Sequence, residues 1–164
     1  MTEPAKMLFS SNDKIPPVDC EIDPLDELPH FERSILEFAR DNNVWMTLSV
    51  GNHATKVQLF RDIMPGFFTL PEETTALSNG ASLKLQFPEV GQTIVLNPTG
   101  DSIRCEMHGF NEEEPPSYIL SKTETISALE RLLSGIVASA TIARLVENEE
   151  AAEFLAPIHG AKEE

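Results

Sequence analysis

The longest regular pattern of apolar positions predicts a helix from Thr123 to about Val146. Its apolar residues recur at helical spacing and form one stripe, and the polar residues fall mainly outside it. Ser121 and Glu124 have the spacing of a capping box, which satisfies backbone donors of the first turn. Small residues such as Gly135 and Ser139 would let a sheet approach closely. We expect this helix to organise the fold.

Alternating apolar and polar residues predict strands in the middle of the chain. The first two runs flank turn residues at 51–54 and predict a hairpin. The later connections are short, which favours antiparallel pairing. A run of three residues after two prolines predicts a short edge strand. The predicted strands cover residues 44–50, 57–59, 83–87, 93–97, 103–108 and 118–120.

The rest of the chain has weaker patterns. Residues 29–41 have helical periodicity, and residues 62–81 are irregular and contain adjacent phenylalanines near prolines. We expect residues 1–27, which are acidic and contain several prolines, to be a partly disordered tail. Residues 149–155 predict a last helical turn or two, and residues 157–164 a polar tail.

Together these elements predict one α+β domain over residues 28–156. An antiparallel sheet of about five to six strands is covered on one face by the long C-terminal helix, and one N-terminal helix packs beside it. The alternation leaves the other face polar. That face is predicted to carry Lys56, Gln58, Lys84, Gln86, Arg104, Glu106 and His108.

Length and cysteine content are those of an ordinary domain. A chain of 164 residues can bury a core without metals or disulfides. Two cysteines are too few for a disulfide framework, and the amino terminus has no signal-peptide pattern. No uncharged apolar run reaches the roughly 20 residues of a membrane span. We therefore expect a cytoplasmic protein without a membrane segment.

The net charge of −15 restricts the class of partner. Nucleic-acid phosphates and acidic membrane surfaces are bound by lysine and arginine, so direct binding to either is disfavoured. The charge favours solubility, and it also favours attraction to a basic protein partner. Both interpretations of the charge stay open.

The search for catalytic chemistry finds no phosphate-binding loop, no nucleophile motif and no paired-histidine metal signature, so we predict no cofactor and no metal. Cys105 and His108 are three residues apart and point to opposite faces of a strand, and Cys105 has the phase of a core residue. A site assembled in space from Cys105, His53 and an aspartate stays open.

Two groups of residues are candidates for contact with a partner protein. Phe67 and Phe68 are either exposed anchors or a lid folded back on the core, and Trp45 is the third aromatic candidate. Glu112, Glu113 and Glu114 precede two prolines and form either an acidic contact loop or a solvated turn.

No motif ties the chain to a family. Its size, charge and layout are similar to those of two kinds of small acidic bacterial protein, namely immunity proteins that block a toxin and chaperones for secreted effectors. Our first hypothesis is a non-enzymatic, acidic protein-binding module, an inhibitor or immunity-type protein with a basic partner. The alternative is a homodimeric cytoplasmic chaperone that holds an unfolded segment in an apolar groove. An enzyme with a scattered site is the third hypothesis.

Overall fold

The computed structural model describes residues 6–16, 28–109 and 115–160. The elements in chain order are β1 (Met7–Lys14), α1 (His30–Asp41), β2 (Val44–Val50), β3 (His53–Gln58), a π-helical turn (Leu59–Ile63), α2 (Met64–Phe67), α3 (Leu70–Ser78), β4 (Leu83–Phe87), β5 (Gln92–Thr99), β6 (Ser102–His108), β7 (Ser117–Ser121), α4 (Lys122–Ile142) and α5 (Asn148–Gly160). The α+β class and the antiparallel pairing are confirmed.

The described strands form two antiparallel sheets, which corrects the prediction of a single sheet. The first sheet has the order β1-β2-β3, and the second has the order β4-β5-β6-β7. The π-helical turn, α2 and α3 occupy the chain between β3 and β4 and carry it from one sheet to the other. The alternation predicted the strands correctly, but it contains no information about which strands pair.

Residues 1–27 were predicted to be a tail, yet Met7–Lys14 forms edge strand β1, paired antiparallel to β2. Its pattern is weak because Leu8 is 49% exposed on the outward side and Ser11 is an exposed polar residue. Pairing with β2 therefore accounts for this strand better than the local sequence does. Residues 1–5 and 17–27 of the predicted tail lie outside the described residues.

Helix α4 packs against both sheets and lies at the centre of the fold. It contacts β1 of the first sheet and β6 and β7 of the second. The Ser121 side chain accepts a hydrogen bond from the Glu124 backbone N–H at 3.3 Å, as the capping pattern predicted. The buried residues of the helix are Thr125, Ala128, Leu129, Leu132, Leu133, Ile136, Val137 and Ala140. The predicted core stripe is thus largely confirmed.

Two further helical regions differ from the prediction. Residues 62–81 contain helices that lack a clear apolar period in the sequence, because polar Asp62 and Thr74 are buried among the apolar core positions. Pro65 and Pro71 lie in the first turns of α2 and α3, where proline is tolerated. Helix α5 extends to Gly160, through part of the predicted polar tail.

The carboxylate of Asp62 connects the two sheets. It accepts hydrogen bonds from the backbone N–H of Gln58 at 2.8 Å, Glu89 at 2.8 Å and Val90 at 3.4 Å. Gln58 ends β3, whereas Glu89 and Val90 lie in the turn between β4 and β5. Because Asp62 is only 1% exposed, these donors replace the water that the carboxylate loses on burial.

One described helix, α4, is long and apolar enough to cross a bilayer by length and composition alone, and 44% of that stretch is buried in the fold. Core helices of soluble proteins meet the same criterion.

Candidate functional site

The thiol of Cys105 is a core group. Cys105 is fully buried in β6, between Ile103 and Met107 on the inward face, as predicted. Burial, followed by the neighbouring charge of Glu106, raises its pKa from 9.0 to about 12. The thiol is therefore neutral near pH 7 and is a poor nucleophile and metal ligand.

His53 contacts the second sheet through Tyr118. The Tyr118 hydroxyl donates a hydrogen bond to Asn52 Oδ1 at 2.6 Å and lies 2.5 Å from His53 Nδ1. Gly51 in the same turn has φ +59°, and an added Cβ would lie 2.5 Å from the Tyr118 ring. This turn thus docks the β2–β3 hairpin on β7. Among the described residues, no hydrogen bond joins His53 to Cys105.

The described residues contain no group of three or more His, Cys, Asp or Glu side chains that could hold a metal ion. His108 Nε2 lies 3.2 Å from Glu106 Oε2, and Arg104 Nε lies 3.4 Å from Glu106 Oε1. These three exposed or half-exposed side chains of β6 form a small charged cluster on the surface of the second sheet.

Phe67 and Phe68 are folded back on the core. Phe67 is fully buried, and its ring stacks on Phe154 of α5 at a centroid distance of 5.2 Å. Phe68 is half-buried and meets both of these rings edge-on. Phe31 of α1 completes this aromatic cluster. The lid alternative is therefore the arrangement found in this chain.

The other predicted contact residues are separated from the aromatic cluster. Trp45 is half-buried in β2, opposite Gln58 of β3. Glu112, Glu113 and Glu114 belong to the connection between β6 and β7 and lie outside the described residues. The described structure thus does not bring the predicted candidates together into one site.

The second sheet has a face whose side chains are exposed or half-buried, which we call the outer face. The inward residues of its strands are buried, and their neighbours in sequence point the other way. Ile119 on edge strand β7 is 54% exposed, and it pairs in register with Arg104. The outer face comprises Lys84, Gln86, Thr93, Val95, Asn97, Arg104, Glu106, His108, Ser117 and Ile119.

The predicted polar face is thus confirmed for the residues of β4 and β6 and wrong for two others. Lys56 and Gln58 belong to β3 of the first sheet. Apolar side chains were not foreseen on this face: exposed Ile119 and half-buried Val95 lie among Lys84, Arg104 and Glu106. A partly apolar patch with charged neighbours has the composition of protein contact surfaces.

A second candidate is a groove of about 460 Å³ between β1, the end of α1 and α4, which we call the β1–α4 groove. Phe9, Phe38 and Met46 contribute apolar walls, and α4 contributes Leu132 and Ile136. The volume lies within the range of small-molecule sites, which is about 300–1,000 Å³. Sequence reasoning missed this groove because five separate elements form it, namely β1, α1, β2, the π-helical turn and α4.

Comparisons with known proteins give no match: no family model matches the chain, and no curated protein or solved structure is significantly similar to it. Function must therefore be argued from the surfaces described above.

Proposed function

We propose that this protein is a non-enzymatic protein-binding module that contacts its partner through the outer face. The observation that carries the proposal is the exposure of Ile119, which is 54% accessible on a face where Lys84, Arg104 and His108 are also exposed. Strand side chains on such a face form a rigid surface, and apolar side chains with charged neighbours supply both contact area and orientation.

Charge supports a partner with a basic surface. The chain has 27 acidic and 12 basic groups. Eleven of the acidic groups and one of the basic groups lie in residues 1–5, 17–27, 110–114 and 161–164, outside the described ranges. Residues 110–114 join β6 to β7, which are two strands of the outer face. Negative charge on a protein accelerates association with a basic partner and selects against acidic ones.

Within this proposal, the protein is an inhibitor or immunity-type protein, a class that needs no catalytic residues. Such a protein acts by covering a site on its partner. The buried thiol of Cys105 and the structural contacts of His53 support a binder over an enzyme, because both groups are engaged within the fold.

The test compares two isoleucines that are both exposed. Wild type, Ile119→Glu and Ile142→Glu are used to capture proteins from the native cell, and Ile142, 83% exposed at the end of α4, is the matched control. We expect one basic protein to be retained by wild type and Ile142→Glu and lost with Ile119→Glu. Its association rate should fall as salt increases. Equal retention by all three proteins, or a rate independent of salt, would contradict the proposal.

The β1–α4 groove favours a second function, a chaperone that holds an extended segment of an effector. That function requires a homodimer. Sedimentation equilibrium then gives twice the chain mass of 18.2 kDa. A mass of one chain at every concentration would exclude it.

A further inference from the structure

The β1–α4 groove has a charge opposite to that of the whole chain. Among the described residues that line it, Lys14 at the end of β1 and Arg131 on α4 are charged, and none is acidic. Acidic groups outnumber basic groups more than twofold in the sequence. The described residues alone hold 16 acidic and 11 basic groups, so a lining whose charged residues are both basic runs against that balance. The lining instead suits an apolar ligand that carries negative charge.

Neither cation has a carboxylate partner among the ion pairs found in the described part of the chain. Arg131 Nε donates a weak hydrogen bond to the backbone oxygen of Ser127 at 3.4 Å, which places the guanidinium along its own helix. A guanidinium has five N–H donors, so most of its capacity is left for an anion.

Gly135 gives independent support for an occupied groove. It lies within α4 and lines the groove, and an added Cβ would meet no atom of the described residues within 4 Å. Glycine inside a helix is less favourable than alanine by about 1 kcal/mol. No described residue packs against this position, so the space beside it is open to a ligand lying along the helix. The expectation that small residues of α4 admit a sheet fails at Gly135 and Ser139, which line the groove, whereas Ala140 is fully buried.

We propose that the β1–α4 groove binds an alkyl carboxylate of about a dozen carbons. The residues of α4 that line the groove run from Ala128 to Ser139, a length of about 16 Å along a helix axis. An extended chain of about twelve carbons spans that length, because each C–C bond of ~1.5 Å advances a zigzag chain by slightly less. Lys14 and Arg131 balance the charge of the carboxylate. This site is separate from the outer face.

The experiment is calorimetric titration of the full chain with dodecanoate, below its micelle concentration. Dodecyltrimethylammonium, which has the same alkyl chain and the opposite charge, is the matched ligand. We expect saturable binding of one dodecanoate and binding of the cation weaker by roughly tenfold or more. Equal binding of dodecanoate and dodecyltrimethylammonium, or no binding of dodecanoate, would overturn the proposal. Saturable binding of an apolar acidic peptide that dodecanoate does not displace would also overturn it.

Two substitutions on α4 locate the site. Gly135→Leu places a side chain in the groove and should weaken dodecanoate binding roughly tenfold, while the melting temperature is kept or raised. Ala138→Leu makes a similar change at an exposed position that does not line the groove, and it should leave binding unchanged. Lys14→Gln and Arg131→Gln should each weaken binding severalfold. Unchanged affinity in Gly135→Leu, or equal losses in both leucine variants, would contradict the assignment.

Discussion

Replacing Asp62 by asparagine tests whether the buried carboxylate connects the two sheets. One carboxylate oxygen accepts from Gln58 N–H, and the other accepts from Glu89 and Val90 N–H. Asparagine has the same shape but only one oxygen. Its NH₂ group must therefore face at least one of these N–H groups, which loses its acceptor while still buried.

The magnitude follows from the hydrogen bonds that are lost. A hydrogen bond to a charged group contributes about 1.5–3 kcal/mol, and a buried donor left unsatisfied costs about 1–3 kcal/mol. We expect Asp62→Asn to lower the free energy of unfolding by about 3 kcal/mol. For a domain of this size, that corresponds to a melting temperature lower by roughly 6–12 °C.

The assay is urea unfolding followed by the fluorescence of Trp45, the single tryptophan, which lies opposite Gln58 in the first sheet. Asp101→Asn is the control, because Asp101 is exposed in the turn between β5 and β6. It should change stability by no more than about 0.5 kcal/mol. If the two variants unfold at the same urea concentration, the connecting role of Asp62 is refuted.

Four further predictions concern contacts elsewhere in the fold. Tyr118→Phe removes the hydroxyl that bonds Asn52 and contacts His53, and it should lower unfolding stability by about 1 kcal/mol. Gly51→Ala should destabilise the fold more than Tyr118→Phe, because Gly51 has a φ of +59° and an added Cβ would collide with the Tyr118 ring. Part of this loss should disappear when Gly51→Ala is made in a Tyr118→Ala background, with all stabilities measured by urea unfolding. In a Cys20→Ser variant, Cys105 should resist Ellman's reagent near pH 8, because burial raises the pKa of its thiol to about 12. The same thiol should react fully in denaturant, and rapid labelling of the native protein would contradict this. The hydrogen bond from His30 lowers the pKa of Glu150. The stabilisation from the Glu150 carboxylate is therefore present above the usual glutamate pKa and is lost as the pH falls through the lowered value. The melting temperatures of wild type and Glu150→Gln should converge on acidification, and a constant difference would contradict this.

The sequence predicts the elements of this fold better than their assembly. β4 and β6 were predictable from sequence because buried and more exposed residues alternate along each strand. β1 was not predictable from sequence, because it is an edge strand in which Leu8 is exposed and position 11 is a polar serine. The division into two sheets depends on long-range pairing, which no local pattern encodes.

The candidate surfaces were predictable to different degrees. Lys84, Arg104 and His108 of the outer face followed from strand alternation, whereas the exposure of Ile119 depends on β7 being an edge strand. The β1–α4 groove had no local signal, since Lys14 and Arg131 come from opposite ends of the chain. Gly135 was visible in sequence as a small residue, but only the fold shows that it borders open space.

The most direct test of the binding proposal is lysine acetylation of the chain, free and in complex with the captured partner. Lys84 lies on the outer face, and Lys56 is exposed on β3 of the other sheet. If the outer face is the contact surface, the partner slows acetylation of Lys84 and leaves that of Lys56 unchanged. Unchanged acetylation of Lys84 in the complex, or protection of Lys56 alone, would contradict the account.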